Sequence, residues 1–266
     1  MLHGKNGINL MFGNFYRNKR VLITGHSGFK GSWLSIWLLK MGSEICGFSN
    51  GVPTKPSNFE STKIKNKIKD YNGDVRDINK LKKVFKDFKP EIVFHLAAQS
   101  LVRKSYKEPL LTFETNVQGT LNVLETIRTS SSIKAAVIIT SDKAYFNQEW
   151  LWGYRENDLL GGDDPYSASK GGAELIFNSY CKSFFQDGPF IASTRAGNVI
   201  GGGDWADDRI IPDAVRAWVK KEPVLIRSPD STRPWQHVLE PLSGYLWLGK
   251  LLYEQSKTFS GQAYNF

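Results

Sequence analysis

A glycine-rich turn near the start of the chain constrains the fold more than any other feature. The segment TGHSGFKG (24–31) lies between a β-branched run, residues 20–24, and a segment with helical periodicity, residues 32–41. In this context the first glycine permits a tight turn, the second lets backbone approach a pyrophosphate, and the third lets the helix pack on the strand. Free N–H groups at the helix start favour phosphates. We predict a dinucleotide site formed by Gly25, Ser27, Gly28, Phe29, Lys30 and Gly31.

The rest of the chain alternates apolar strands with amphipathic helices. Residues 92–96 and 135–140 are nearly continuous apolar runs. Such runs are typical of parallel strands that are buried on both faces. The alternation predicts an α/β fold with a doubly wound parallel sheet of the Rossmann type.

The pattern changes after about Arg195, where loops, short strand-like segments at 225–226 and 235–238, and two helices follow. We interpret this part as a smaller substrate lobe. The expected organisation is a flexible leader (1–16), a dinucleotide-binding domain (17–195) and the lobe (196–266). Because the chain ends in a strand-like segment that needs neighbours, we expect the lobe to be incomplete at its C-terminus.

Composition argues against several classes of protein. Hydrophobic residues make up 41% of the chain, enough for a substantial core. Two isolated cysteines, Cys46 and Cys181, support neither a disulfide framework nor a metal site, and they fit a reducing compartment. We find no apolar run of about 18 residues, so we expect a cytoplasmic protein that does not span a membrane. The net charge of +9 comes largely from lysines between 63 and 89, without interleaved Arg and aromatic residues. We interpret these lysines as solvated and expect no nucleic-acid partner.

A second pattern carries the chemistry. Tyr166 and Lys170 lie one helical turn apart and project from one helix face. A nearby ammonium lowers the pKa of a phenol toward working pH, which makes the tyrosine a base for an alcohol proton. Upstream, Ser141, Asp142 and Lys143 follow a buried strand, and Asp142 offers an acid where a leaving group would sit. These five candidate catalytic residues predict an enzyme that oxidises a sugar with a nicotinamide cofactor only to dehydrate it.

The end of the second strand leaves the choice of dinucleotide open. A carboxylate normally grips the adenosine ribose at this place, but the chain has GFSN (47–50). Ser49 or Asn50 can bond a hydroxyl, and the nearby Lys55 leaves NADP open beside NAD. Asp74, after the third strand, is a candidate for the adenine amino group and equally an ordinary turn or capping residue.

Eight motifs extend this pattern over about residues 19–266. They are TGHSGFKG (24–31), GDVRD (73–77), HLAAQ (95–99), NVQGT (116–120), TSDKAY (140–145), PYSASKGGAE (165–174), RAGNVIGGGDW (195–205) and RPWQHV (233–238). In these motifs the chain resembles the extended short-chain dehydrogenase/reductase family, and within it the nucleotide-sugar 4,6-dehydratases. Most of these carry Thr-Asp-Glu where this chain has Ser141-Asp142-Lys143, and Ser-Asp-Lys is similar to the branch that acts on CDP-glucose.

The resemblance implies a hydro-lyase that converts CDP-glucose to CDP-4-keto-6-deoxyglucose with NAD, in deoxysugar and surface polysaccharide (lipopolysaccharide O-antigen) biosynthesis. Tyr166, assisted by Ser141, would take the proton of the C4 hydroxyl while the hydride passes to NAD. A protonated Asp142 would release water from C6, and the hydride would return to C6. Lys143 stands where a glutamate is the natural base for the C5 proton. Either it is neutral and acts as that base, or it stays charged and stabilises an enolate.

Other ligands implied by the resemblance lie at the carboxyl edge of the sheet. Cofactor ligands outside the turn would be Asp74, Val75, Leu96, Ala97, Ala98, Tyr166 and Lys170. Substrate ligands would be Gln99, Ser100, Asn198, Arg209 and Arg233, with Asn198 and Arg233 on the diphosphate. The resemblance also implies a homodimer or higher homo-oligomer through helices near 117–129 and 166–184.

Other interpretations stay open. A nucleotide-sugar 4-epimerase would use the same Ser, Tyr and Lys residues with NAD but needs no acid, so Asp142 counts against it. A non-catalytic dinucleotide-binding module would have lost the Tyr166–Lys170 pair or the glycines, which are present. A basic nucleic-acid binder is the least favoured. We interpret His95 as a core histidine, and Trp235 and His237 as core residues of a short strand.

Overall fold

A seven-stranded parallel sheet forms the centre of the protein, and a two-stranded sheet lies apart from it. The computed structural model describes residues 11–266, so residues 1–10 of the predicted leader lie outside the described residues. The strands are β1 (Arg20–Thr24), β2 (Glu44–Ser49), β3 (Lys69–Asn72), β4 (Ile92–His95), β5 (Ala135–Ile139), β6 (Phe190–Arg195), β7 (Asn198–Ile200), β8 (Trp235–His237) and β9 (Ala263–Asn265).

The large sheet has the order β3-β2-β1-β4-β5-β6-β9, and every neighbouring pair is parallel. Its register places Leu22 of β1 between Cys46 of β2 and Val93 of β4. The direction of winding reverses between β1 and β4, and ligands of such folds bind in the crevice at that point. The predicted fold class, a doubly wound parallel sheet, is confirmed.

Helices cover both faces of this sheet. They are α1 (Phe29–Lys40), α2 (Asn58–Ser61), α3 (Ile78–Phe88), α4 (Val102–Lys107), α5 (Pro109–Phe113), α6 (Gly119–Arg128), α7 (Pro165–Phe184), α8 (Ile210–Lys220) and α9 (Leu239–Gln255). Val21 and Ile23 pack with α1 and α9 on one face, and Leu22 packs with α3, α6 and α7 on the other. Alternate residues of one apolar strand therefore supply two separate cores, as the period of two requires.

The boundaries of the lobe differ from the predicted ones. β7, β8 and α8 lie outside the large sheet, but β9 pairs with β6, and α9 contributes Leu242 and Leu246 to the main core. α9 and β9 therefore pack with the large sheet, because Leu242 and Leu246 are buried in its core and β9 extends its edge. This packing separates α9 and β9 from the lobe expected over 196–266.

Part of the predicted leader is also core. Phe12 and Tyr16 are buried, and the Tyr16 hydroxyl donates to the Leu246 carbonyl oxygen at 2.6 Å. Residues 12–16 are thus fixed against α9 by apolar burial and a buried hydrogen bond. The strand expected at 225–226 does not form, and both residues are exposed. Among the described residues, none of the helices is long and apolar enough to cross a membrane.

Candidate active site at the carboxyl edge of the sheet

The candidate catalytic residues meet where β5, β6 and α7 approach one another. Ser141 to Lys143 leave the end of β5, and the Asp142 amide donates to the Ala196 carbonyl oxygen just beyond β6 at 3.3 Å. Pro165 starts α7, and the Asp164 side chain caps that helix by accepting from the Ser167 amide at 3.0 Å. These contacts hold Tyr166 and Lys170 beside the loop that carries Ser141.

The dinucleotide turn is packed too tightly for larger residues. Gly25 has a φ of +73°, and a Cβ there would come within 2.7 Å of the Ala97 nitrogen. A Cβ on Gly31 would overlap the Gly25 carbonyl oxygen. Gly28 is the N-cap of α1, and no side chain among the described residues caps it. The first N–H groups of this helix are therefore available to an anion, which is the donor set that a pyrophosphate requires.

Several predicted cofactor residues lie in loops at the edge of the sheet or in the core. The Ala97 amide donates to the Thr24 hydroxyl at 3.2 Å, and the Leu96 amide donates to the Thr24 carbonyl oxygen, so the loops after β1 and β4 lie side by side. Val75 is a buried core residue. Phe29 packs partly against the main core, and Ala98 continues the loop after β4.

A cavity of about 370 Å³ lies beside the turn, where the strand ends of β2 and β3 meet residues 51–66. His26 contacts Asp70 Oδ1 through Nε2 at 2.8 Å and Ser49 Oγ through Nδ1 at 2.8 Å. Burial lowers the pKa of His26, although the Asp70 carboxylate opposes this shift. Ser49, a candidate for the ribose hydroxyls, is therefore already engaged by His26.

Asp74 is likewise engaged. It accepts hydrogen bonds from Arg76, with Nη2 at 2.9 Å, and from Asn50 Nδ2 at 3.3 Å. Partial burial would raise the pKa of Asp74, but the hydrogen bonds from Arg76 and Asn50 outweigh it and lower the pKa. Of the two interpretations of Asp74, an adenine ligand or a turn residue, this geometry favours the turn residue.

The Ser141-Asp142-Lys143 cluster forms a short 3-10 turn. Ser141 Oγ donates to Asp142 Oδ1 at 2.9 Å and accepts from the Lys143 amide at 3.2 Å. Arg233 Nη2 donates to Asp142 Oδ2 at 2.8 Å and forms an ion pair with it. Both carboxylate oxygens of Asp142 are therefore engaged, Oδ1 by Ser141 and Oδ2 by Arg233.

The tyrosine and lysine of the predicted proton-transfer pair are both buried. Burial raises the pKa of Tyr166, and its interaction with Ser141 acts in the opposite direction. Burial also lowers the pKa of Lys170 to about 8, and the Glu174 carboxylate partly opposes this shift. The expected lowering of the Tyr166 pKa is therefore not seen, because desolvation by burial dominates.

Lys30 links the turn to the catalytic groups. It lies in the first turn of α1, and burial lowers its pKa to about 8, helped by the cations Arg209 and Lys170. The carboxylates Asp142 and Asp204 oppose that shift, so Lys30 faces them as well. The sequence assigned Lys30 to the cofactor, and the structure brings it within electrostatic range of Asp142.

The predicted substrate ligands separate into two groups. Arg233 Nε donates to Asn198 Oδ1 at 3.1 Å, and Arg209 contacts Asp204 at 2.9 Å and Ser100 Oγ at 3.3 Å. Four of the predicted ligands thus form two contacting pairs, Arg233 with Asn198 and Arg209 with Ser100. By contrast, the Gln99 side chain donates to the Leu101 carbonyl oxygen and the Thr112 hydroxyl, so it fixes its own loop.

Two buried residues that were not predicted as site residues lie beside the start of the catalytic loop. Glu174 and Arg195 form a buried ion pair at 2.9 Å, and Glu174 also accepts from the Thr140 hydroxyl, next to Ser141. The sequence feature that could have identified Glu174 is its position on the same helix, one turn after Lys170. Of the other assignments, His95 is a core histidine with partners on both ring nitrogens. The interpretation of Trp235 and His237 as core residues is wrong, because both side chains are exposed on β8.

The fold defines a class, a dinucleotide-binding enzyme, in which Ser141, Tyr166 and Lys170 are the candidate residues for proton transfer. The chain belongs to the family described as GDP-mannose 4,6 dehydratase, which it matches over residues 22–255.

Two individual relatives are nucleotide-sugar dehydratases. The chain is 54% identical over 259 residues to the CDP-glucose 4,6-dehydratase of Salmonella typhimurium, which covers 95% of this chain and 72% of that protein. It is 30% identical to the dTDP-D-glucose 4,6-dehydratase of Dictyostelium discoideum over 85% of this chain and 54% of that protein. The chain is thus a homologue of nucleotide-sugar dehydratases and spans part of the length of each.

Solved structures agree on the fold. An epimerase from Methanothermobacter thermautotrophicus superposes with a TM-score of 0.82 at 26% identity, over 99% of this chain and 76% of that one. The dTDP-glucose 4,6-dehydratase from Bacillus anthracis, solved in complex with NAD, superposes with a TM-score of 0.75 at 23% identity, over 93% and 75% of the two chains.

Proposed function

We propose that the protein is an NAD-dependent CDP-glucose 4,6-dehydratase that forms CDP-4-keto-6-deoxyglucose. One observation carries this proposal: Asp142, a carboxylic acid, lies next to Ser141 at the Tyr166–Lys170 pair. A simple oxidation or a 4-epimerisation needs the base but no acid. The 54% identity to a CDP-glucose 4,6-dehydratase supports the same reaction and the same nucleotide.

The turn between β1 and α1 fits a dinucleotide, because Gly25 and Gly31 leave room for backbone only and the start of α1 is uncapped by the described side chains. In the proposal, the Gly28 region holds the pyrophosphate and Lys170 binds the nicotinamide ribose. When bound, NAD supplies a temporary acceptor for the C4 hydride, which is returned at C6, so the reaction has no net redox change.

Tyr166 is the proposed base for the C4 hydroxyl. A phenol whose pKa is raised by burial needs a cation close by, and Lys170 is the buried cation one helical turn away. At neutral pH Lys170 is largely charged because its pKa is about 8. Ser141, within reach of both Tyr166 and Asp142, would orient the hydroxyl that loses its proton.

Asp142 is the proposed acid that protonates the departing C6 hydroxyl. Lys143 follows it on the same turn, half-buried. As an ammonium there, Lys143 would stabilise the enolate that forms when the C5 proton leaves.

The nucleotide diphosphate is proposed to bind at the opening formed by Arg233, Asn198, Arg209 and Ser100. Guanidinium groups bind phosphate oxygens in a bidentate manner, and Arg233 and Arg209 supply two of them, each in contact with another predicted ligand. Gln99 is withdrawn as a direct ligand because its side chain is fully used within its loop.

The proposal also covers the oligomeric state and the cellular compartment of the protein. Leu175 and Phe184 on α7 are exposed at 62% and 51%, which supports a homodimer through α6 and α7. Cys46 and Cys181 are free and buried, in keeping with a reducing cytoplasm and a role in deoxysugar synthesis.

The deciding experiment is incubation of the protein with CDP-glucose and NAD. We expect the 4-keto-6-deoxy product, seen by its absorbance in alkali and by the loss of one water in mass. The UDP and dTDP sugars should react poorly. Tyr166→Phe should lower kcat by about 100-fold or more, while Tyr106→Phe, at a tyrosine 67% exposed, should not. An intact sugar converted to its C4 epimer would contradict the proposal.

A further inference from the structure

The backbone of the catalytic turn, residues 141–144, is held only loosely by its own hydrogen bonds. The Lys143 amide donates to the Ser141 hydroxyl at 3.2 Å. The Tyr145 amide, just after the turn, donates to the Asp142 carbonyl oxygen at 3.3 Å. Both distances lie at the long end of the usual range of about 2.7–3.2 Å. Because catalytic groups depend on exact placement, the turn needs anchors outside itself.

The end of the turn that begins with Ser141 is anchored by the large sheet. Thr140, the residue before it, donates from its amide to the Thr194 carbonyl oxygen at 2.8 Å. Tyr166 is fixed separately, since its amide donates to the Ser105 hydroxyl at 3.2 Å. The two groups proposed for the oxidation at C4 are therefore positioned by β5 and by the start of α7.

Tyr145 anchors the opposite end of the turn through a buried hydroxyl. This hydroxyl donates to Asn265 Oδ1 at 2.7 Å and accepts from Arg195 Nη1 at 2.8 Å, so both bonds are shorter than those within the turn. The Arg195 guanidinium lies 4.8 Å from the centroid of the Tyr145 ring, and the Tyr154 ring stacks on that ring at 5.1 Å. Tyr145 thereby ties the turn to the ends of β6 and β9.

The two partners of the Tyr145 hydroxyl are themselves held in place. Arg195 belongs to the buried ion pair described above and donates to the Glu156 carbonyl oxygen at 3.0 Å. Asn265 donates from its amide to Glu156 Oε1 at 2.9 Å, and from Nδ2 to the Tyr154 carbonyl oxygen at 2.9 Å. A buried polar network whose members are satisfied in this way is rigid. The Tyr145 hydroxyl can therefore satisfy both partners in one position only.

We propose that Tyr145 is a positioning residue for the loss of water: its hydroxyl fixes the end of the catalytic turn and so keeps Asp142 and Lys143 in place for elimination across C5 and C6. This inference rests on the proposed function. Tyr145 acts through the backbone of the turn and not on the sugar itself. Ser141 and Tyr166 have anchors of their own, so the oxidation at C4 depends less on Tyr145. Loss of the hydroxyl should therefore separate the two halves of the reaction.

The test is rapid mixing of the NAD-loaded variant Tyr145→Phe with CDP-glucose. We expect the first formation of NADH, followed by its near-ultraviolet absorbance, to keep a rate close to that of the wild type. Formation of the 4-keto-6-deoxy product should slow by about 10- to 100-fold, because a displacement of about 1 Å can cost a factor of about 100. NADH should then accumulate, since its hydride returns to C6 only after water has left. Equal slowing of both steps would overturn the inference, and so would a variant as fast as the wild type.

The matched control is Tyr253→Phe. The Tyr253 hydroxyl also lies between a cation and an acceptor, because it accepts from Lys19 Nζ and donates to Glu91 Oε1, both at 3.1 Å. Lys19 and Glu91 come just before β1 and β4, at the end of the sheet opposite the catalytic turn. Urea denaturation should show a loss of stability in both variants, whereas NADH should accumulate in Tyr145→Phe alone. Accumulation in both would mean that lost stability is the cause, which would refute the role of Tyr145.

Asn265→Leu tests whether the hydrogen bond itself is responsible. Leucine is similar in size to asparagine but cannot accept from the Tyr145 hydroxyl. This variant should also accumulate NADH, and adding Tyr145→Phe should slow product formation little further, because both substitutions remove one shared interaction. Fully additive effects would contradict the inference. A wild type that forms neither NADH nor product from CDP-glucose would refute the proposed function itself.

Discussion

The buried pair of Glu174 and Arg195 should make the protein unusually sensitive to the loss of one charge. Both side chains are almost inaccessible, at 0% and 2% exposed, and their charged atoms are 2.9 Å apart. Removing one partner of such a pair costs about 3–5 kcal/mol, because the other charge stays buried and uncompensated. Glu174→Gln should therefore lower the free energy of unfolding by about 4 kcal/mol, measured by urea denaturation.

Two comparisons separate this effect from ordinary loss of packing. Ser193→Ala removes a hydrogen bond of 2.9 Å to the same carboxylate without changing charge, and should cost only about 1 kcal/mol. Replacing both partners, as in Glu174→Gln with Arg195→Met, should recover much of the loss because no buried charge remains. A double variant as unstable as the sum of its single variants would refute the reasoning.

The same variant should change the pH dependence of activity. The pKa of Lys170 is about 8 because burial lowers it, and the Glu174 carboxylate raises it. Without that carboxylate, Lys170 loses its proton at lower pH and no longer assists Tyr166. In Glu174→Gln the alkaline limb of the kcat profile should move to lower pH, whereas in Ser193→Ala it should stay in place. An unmoved limb in Glu174→Gln would mean that Glu174 is purely structural.

Three further predictions concern the turn, the core and pH. Gly31→Ala should abolish NAD binding, measured by protein fluorescence, because its Cβ overlaps the Gly25 carbonyl oxygen; Gly202→Ala, where a Cβ meets nothing within 4 Å, should bind normally. Burial lowers the pKa of His95 from 6.5 to about 3, so the unfolded chain binds more protons and stability should fall by roughly 4–5 kcal/mol from pH 6.5 to 3. In His95→Gln this acid loss, followed by urea denaturation, should be clearly smaller, and an identical loss would contradict the assignment. Activity of the wild type should decline above about pH 8 as Lys170 loses its proton, and an undiminished rate at pH 9.5 would exclude that role.

Several features of the protein could be predicted from the sequence because they depend on local patterns. Apolar runs separated by amphipathic helices predicted the parallel sheet, and the strand-turn-helix around Gly25 and Gly31 predicted the cradle for a dinucleotide. Tyr166 and Lys170 share a helix face through their spacing alone. Each of these features depends on residues within one short segment, so the local sequence is enough to predict it.

Contacts between distant segments were decided only by the tertiary structure. The return of α9 and β9 to the main sheet depends on the apolar surface that the first six strands leave for them to cover. The same holds for Phe12 and Tyr16, which look like a leader until α9 covers them. The pairing of Asp142 with Arg233, 91 positions apart, follows because Asp142 bonds Ala196 just before β7, and β7 pairs with β8, which Arg233 precedes. Charge and burial act through space, so the pKa values of Tyr166 and Lys170 are set by neighbours that no local pattern contains.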